Sequence, residues 1–165
     1  SLNDSSNIIN HLKEEVLDSK NIKFIKGRFP DILIDKNSIF DAIILYSVIH
    51  YVEKDKLLDF IDSALNMLQP GGSLLIGDIP NIDKKNRFNN STFGKSFNMR
   101  WKKNQELCYI SHNYPPLDLS YFNDSLIFSI INHIRTKKCF DAYILPQSPN
   151  LPFGYIREDI LISKC

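Results

Sequence analysis

Two side chains stand out as able to move a proton. His50 follows the apolar run FDAIILYSVI, and an imidazole with an ordinary pKa of about 6.5 is suited to act as a general base on a hydroxyl. Asp78 follows the run SLLIG and is a second candidate base. A third feature is a charge asymmetry. Between Lys84 and Gln105 the basic residues Lys84, Lys85, Arg87, Lys95, Arg100, Lys102 and Lys103 occur with no acidic residue, interleaved with Phe88, Phe93, Phe97 and Trp101. Guanidinium and ammonium groups beside aromatic faces suit a small anion, such as a phosphorylated or nucleotide-linked sugar. His11, His112 and His133 have no partner at a ligand spacing, no HExxH pattern occurs, and no metal site is expected. Gly94-Lys95-Ser96 looks like the end of a phosphate loop, but Asn89 stands where its first glycine belongs and no strand precedes it.

These residues need elements to position them. The periodicity of Ile8, Ile9, Leu12 and Val16 predicts an opening helix, and NIKFIKG at 21–27 predicts a short strand. The run from Phe40 to Tyr46 reads as a central parallel strand covered on both faces. Leu57, Leu58, Ile61, Ala64, Leu65 and Leu68 predict a helix over Lys54 to Leu68, stopped by Pro70-Gly71-Gly72, with a strand over Ser73 to Gly77. Residues 81–116 read as a long polar connection, partly helical. A helix follows from Phe122 to Lys138, and then two strands, Phe140–Leu145 and Asp159–Ser163, pair across a Pro-rich loop. The alternation implies one α/β domain over residues 1–165, its sheet mainly parallel with a C-terminal antiparallel pair.

The segments DSSNII at 4–9, FDAIILYSVIHYV at 40–52 and MLQPGGSLLIGD at 67–78, in that order, resemble the class I S-adenosylmethionine-dependent methyltransferases. The resemblance implies a Rossmann-like fold, S-adenosylmethionine as cofactor and a small-molecule methyl acceptor. It assigns the cofactor's ribose to Asp4 with Ser5, its adenine to the Gly27-Arg28-Phe29 turn, and its methionine part to Tyr46, Ser47 and Val48. Relatives often carry an Asp at the adenine turn, where this chain has Arg28, which cannot accept from an adenine amino group. His50 and Asp78 become candidate catalytic bases, and Arg100, Trp101 and Lys102 candidate acceptor-binding residues on a lid over about 81–116.

The family's first strand and its acidic-x-Gly-x-Gly-x-Gly loop do not occur in these residues. The resemblance therefore implies an upstream segment, carried by the same polypeptide or supplied by another chain. Without it the 165 residues are expected to bind the cofactor weakly. An alternative reading is a binding or regulatory module that keeps the fold without the activity.

Composition narrows the partners. Twenty Lys and Arg against nineteen Asp and Glu leave a net charge of +1, which gives no support for a nucleic-acid or anionic-membrane partner. The place of the Asn/Asp-Pro-Pro-Tyr/Phe motif of base-modifying relatives reads SVIHYV. No apolar run approaches the roughly 18 residues of a membrane helix. Three cysteines without CxxC spacing suggest a reducing, cytoplasmic setting.

Overall fold

The computed structural model describes residues 22–23, 25–32, 38–105, 121–151 and 153–165, with 102–105 through their backbone only. The expected opening helix, Asp4 and Ser5 lie outside these residues, as does the Lys102 side chain. The chain divides into two compact units, Ser1–Asp35 and Lys36–Cys165.

In the first unit the described part of NIKFIKG carries no strand pairing, contrary to expectation, and Ile22 and Ile25 are exposed. Alternating apolar residues make a strand only when a neighbour takes up the backbone N–H and C=O groups. Gly27 begins a turn in which the Ile32 N–H donates to the Arg28 carbonyl at 2.9 Å.

The second unit holds a four-stranded sheet among the described residues: β1 (Phe40–Tyr46), β2 (Leu68–Pro80), β3 (Phe140–Pro146) and β4 (Arg157–Lys164), in the order β1-β2-β4-β3. β1 runs parallel to β2, and β4 runs antiparallel to both β2 and β3. The closing antiparallel pair is as expected, each strand one to two residues longer at its ends. β1 does not lie in the core. Among the described residues it forms an edge, and Ile44 is 68% exposed. The buried centre of the sheet is β2, through Leu74, Ile76 and Ile79, backed by Ile160 and Ile162 of β4.

Helix α1 (Leu57–Leu65) ends three residues earlier than its periodicity suggests, because Leu68 is already paired with Phe40 as the start of β2. Pro70-Gly71-Gly72 therefore lies inside the strand as a bulge: Phe40 pairs with Leu68 and Ala42 with Ser73, so β2 has the excess residues. Gly71 takes φ 80° there, where a side chain would be strained.

The polar connection contains two helices, α2 (Ile82–Asn90) and α3 (Thr92–Gln105). The Asn81 side chain caps α2 by accepting from the N–H groups of Asp83 and Lys84, and donates to Asp124 (2.7 Å) and Glu158 (3.0 Å). Helix α4 (Asp124–Arg135) is capped by Asn123 and buries Ile127, Ile130, Ile131 and Ile134.

α1 and α4 are joined by Asp62, which accepts from Lys137 Nζ (2.8 Å) and contacts His133 Nε2 (2.9 Å). Burial alone would raise the Asp62 carboxyl, but the hydrogen bonds from Lys137 and His133 outweigh it and hold it below its ordinary value. A depressed carboxyl adds stability that is present above its unfolded pKa and lost as pH falls through the folded one. Asp62→Asn is therefore expected to cost about 1 kcal/mol at pH 7, since the cluster is partly exposed. Urea denaturation should show this deficit shrinking below about pH 4.

Candidate functional site

The carboxyl ends of β1 and β2 lie side by side because Tyr46 pairs with Gly77. The next residues, Ser47 just past β1 and Asp78 within β2 two residues before its end, both take the left-handed region, at φ 55° and 61°. Each such turn costs of order 1 kcal/mol for a residue with a Cβ, and strain of this kind gathers at sites. A bulge causes the turn at Asp78: Ile76 faces Ile160 and Ile79 faces Glu158, one residue more on β2 than on β4. The outcome is a direct contact in which the Ser47 hydroxyl donates to Asp78 Oδ2 at 2.5 Å. Gly77 is required beneath it, since a Cβ there would come within 2.4 Å of the Tyr46 ring.

β4 and the loop before it complete the constellation. Arg157 Nε stands 3.6 Å from Asp78 Oδ1, and both side chains are mostly buried. The Asp78 N–H donates to the Asp159 carboxylate (2.9 Å), and Gln147 Nε2 donates to the Tyr46 hydroxyl (3.1 Å). Three buried polar atoms here have no partner: His50 Nδ1, Gln147 Oε1 and Arg157 Nη1. Burial lowers the His50 pKa from 6.5, the Arg157 charge lowers it further, and Asp78 offsets part of the effect. His50 is therefore neutral at pH 7. Burial and the charges of Asp78 and Asp159 push the Tyr46 phenol up.

Beyond Arg157 lies an open groove of about 150 Å³, formed by α2, α3 and the turn before β4. Phe88, Phe97, Trp101, Phe153 and Tyr155 make its walls, with Lys85 at one side. A second hollow of about 90 Å³, lined by Pro80, Asn81 and Arg157 among others, shares Lys85 and Ile156 with it.

Of the residues singled out from the sequence, Tyr46, Ser47, His50 and Asp78 fall in one neighbourhood, and Val48 begins the short helical turn Ile49–Tyr51 that holds His50. Trp101 lines the groove, whereas Arg100 is exposed on α3 and is not among its lining residues. Gly27, Arg28 and Phe29 occupy the turn of the first unit, Arg28 exposed and Phe29 half-buried. Sequence reasoning missed Arg157, Asp159 and Gln147. For Arg157 and Asp159 the signal was the run Arg157-Glu158-Asp159, three charges ahead of the apolar Ile160-Leu161-Ile162; Gln147 gave none. Among the described residues no cluster of His, Cys, Asp and Glu could hold a metal ion.

Residues 1–76 match the family model described as a methyltransferase domain. No curated protein matches the chain. Among solved structures, the plantazolicin methyltransferase BpumL in complex with a triazolic desmethylPZN analog and SAH is 11% identical, with TM-score 0.56, over 94% of this chain and 71% of that one. An O-methyltransferase family protein from Burkholderia thailandensis is 16% identical, with TM-score 0.51, over 96% of this chain and 40% of that one. The chain spans about half the length of two other BpumL structures that it matches, 54% and 52%. The resemblance to the class I methyltransferases is thus borne out, and the chain has their α/β fold.

Proposed function

We propose that the chain transfers a methyl group from S-adenosylmethionine to an oxygen or nitrogen of a small-molecule acceptor, with residues 1–165 acting as one methyltransferase-like domain. The observation that carries this reading is the Ser47–Asp78 pair at the carboxyl ends of adjacent parallel strands, where ligands gather in open α/β sheets. The match of residues 1–76 to the methyltransferase domain supports it. Free, exposed thiols at Cys139 and Cys165 suit a reducing cytoplasm, and no helix among the described residues is long and apolar enough to cross a membrane.

The strand end fits the cofactor's sulfonium part. An exposed Tyr46 ring beside the carboxylates of Asp78 and Asp159 is complementary to a cation. Tyr46, Ser47 and Val48 would hold the methionine portion, Asp4 and Ser5 the ribose, and the Gly27–Phe29 turn the adenine. When bound, S-adenosylmethionine supplies an electrophilic methyl carbon and a leaving group that departs as a neutral thioether. The protein's task is alignment, exclusion of water and removal of one proton. Asp78 is committed to Ser47 and Arg157, so His50, neutral at pH 7, is the better base. It would accept the proton that the acceptor's oxygen or nitrogen loses on methylation.

Calorimetry with S-adenosylhomocysteine on the polypeptide taken from its initiator methionine tests the reading. Asp4→Ala should weaken binding by about 1.5–3 kcal/mol, the worth of a charge-assisted hydrogen bond. Unchanged affinity would remove Asp4 from the site. No binding by the parent protein would favour a regulatory module that keeps the fold alone.

A further inference from the structure

We infer that the acceptor is a flat aromatic or heteroaromatic molecule bearing an oxyanion, its ring seated in the groove of α2 and α3 and its oxyanion on Arg157. The inference rests on the methyl-transfer reading and names that site's substrate class. The walls are ring faces and edges. Phe88 stacks on Tyr155 (centroids 5.1 Å, 9° between planes) and Phe97 on Trp101 (6.3 Å, 11°), while Phe97 meets Phe88 and Tyr155 edge-on at 72° and 67°. The two stacks make a corner. Trp101 and Phe153 remain about half exposed at its mouth, 47% and 50%, so a ring entering there removes apolar surface from water on both sides.

The groove offers a saturated sugar few polar side chains for its hydroxyls: Lys85, Asn89 and Asn98, the last two bonded to each other at 2.9 Å. A cavity of this order, about 150 Å³, accommodates a benzene-sized ring.

Positive charge comes from Lys85, which lines both hollows, and from Arg157, which lines the second. Arg157 Nη1 is buried without an acceptor, its guanidinium lies 5.3 Å over the Phe153 ring, and its Nε faces Asp78. A buried guanidinium N–H left unpaired is costly, and an oxyanion on the ring would pair it in the neighbouring hollow that Arg157 lines. Arg157 is thus an anion-binding candidate besides Arg100 and Lys102.

Trp101 is the chain's single tryptophan, so its indole N–H resonance reports directly on the groove. The probes are quinoline-2-carboxylate, quinoline, cyclohexanecarboxylate and glucose 6-phosphate, titrated into the polypeptide taken from its initiator methionine. Quinoline-2-carboxylate should shift the indole resonance saturably and bind at least about tenfold tighter than the other three. Phe97→Leu should weaken it about tenfold, and Arg157→Gln should erase its advantage over quinoline. If Arg157→Gln fails to fold, Arg157→Lys should narrow that advantage instead, because the ammonium lacks the guanidinium fork. Equal binding by cyclohexanecarboxylate or glucose 6-phosphate, a silent indole resonance, or an undiminished advantage in the folded Arg157 variant would overturn the inference. S-adenosylhomocysteine titrated into the same samples separates the two failures. Loss of that binding sinks the methyl-transfer reading, whereas ring probes that fail while it binds sink the inference alone.

Discussion

His50→Ala is expected to lower kcat by about 10²–10⁴-fold, the usual worth of a positioned base, with affinity for S-adenosylhomocysteine unchanged. The pH profile separates this from a packing defect. Burial first, and the Arg157 charge second, lower the His50 pKa from 6.5, so the parent enzyme should keep its rate below the pH at which a free imidazole protonates. It should then fail as His50 gains its proton. His50→Ala should lack that acid limb. Asp78→Asn removes the one charge that raises the His50 pKa, so in that variant the limb should move to lower pH. A His50→Ala enzyme of normal rate and unaltered profile would hand the base role to Asp78 or to solvent.

Gly94→Ala should be the most destabilising small substitution in the α2–α3 corner. A Cβ at Gly94 would stand 1.9 Å from the Phe88 carbonyl oxygen and 2.7 Å from its carbon. Both are backbone atoms and cannot rotate away. Overpacking against movable side chains costs about 1–3 kcal/mol, so a backbone collision should cost at least about 2 kcal/mol in urea denaturation. The corner also carries Phe88, Phe93 and Phe97, and the Gly94 N–H is held by the Ser91 hydroxyl at 2.9 Å. Opening it should raise the acceptor's KM while leaving cofactor affinity intact. Parent-like stability would mean that the two helices do not meet as closely as described.

What could be read from the chain, and what could not, follows from the range of the interactions. α1, α4 and the β3–β4 pair declare themselves through local periodicity, because their apolar residues face one side of one element. β1 misled for the same reason: an apolar run signals burial, but whether a strand lies at the centre or the edge is decided by its neighbours. The groove was partly visible. Phe93, Phe97 and Trp101 are spaced four apart, a helical stripe on α3 that is masked in the sequence when Phe88 of α2 is counted with it. The Ser47–Asp78 contact depends on the register of Tyr46 with Gly77 and on a bulge, and Arg157 joins it from 79 residues further along the chain than Asp78. No local pattern carries those facts.

The paired ends of β1 and β2 are proposed to form the methyl-transfer site. Amide shift mapping tests it directly, by titrating S-adenosylhomocysteine into the nitrogen-15-labelled polypeptide taken from its initiator methionine. The amides of Ser47, Val48 and Asp78 should move saturably together, while those of Ala142 and Tyr143 on β3, at the far edge of the sheet, stay in place. Saturable binding that leaves Ser47 and Asp78 unmoved, or no binding at all, would contradict it.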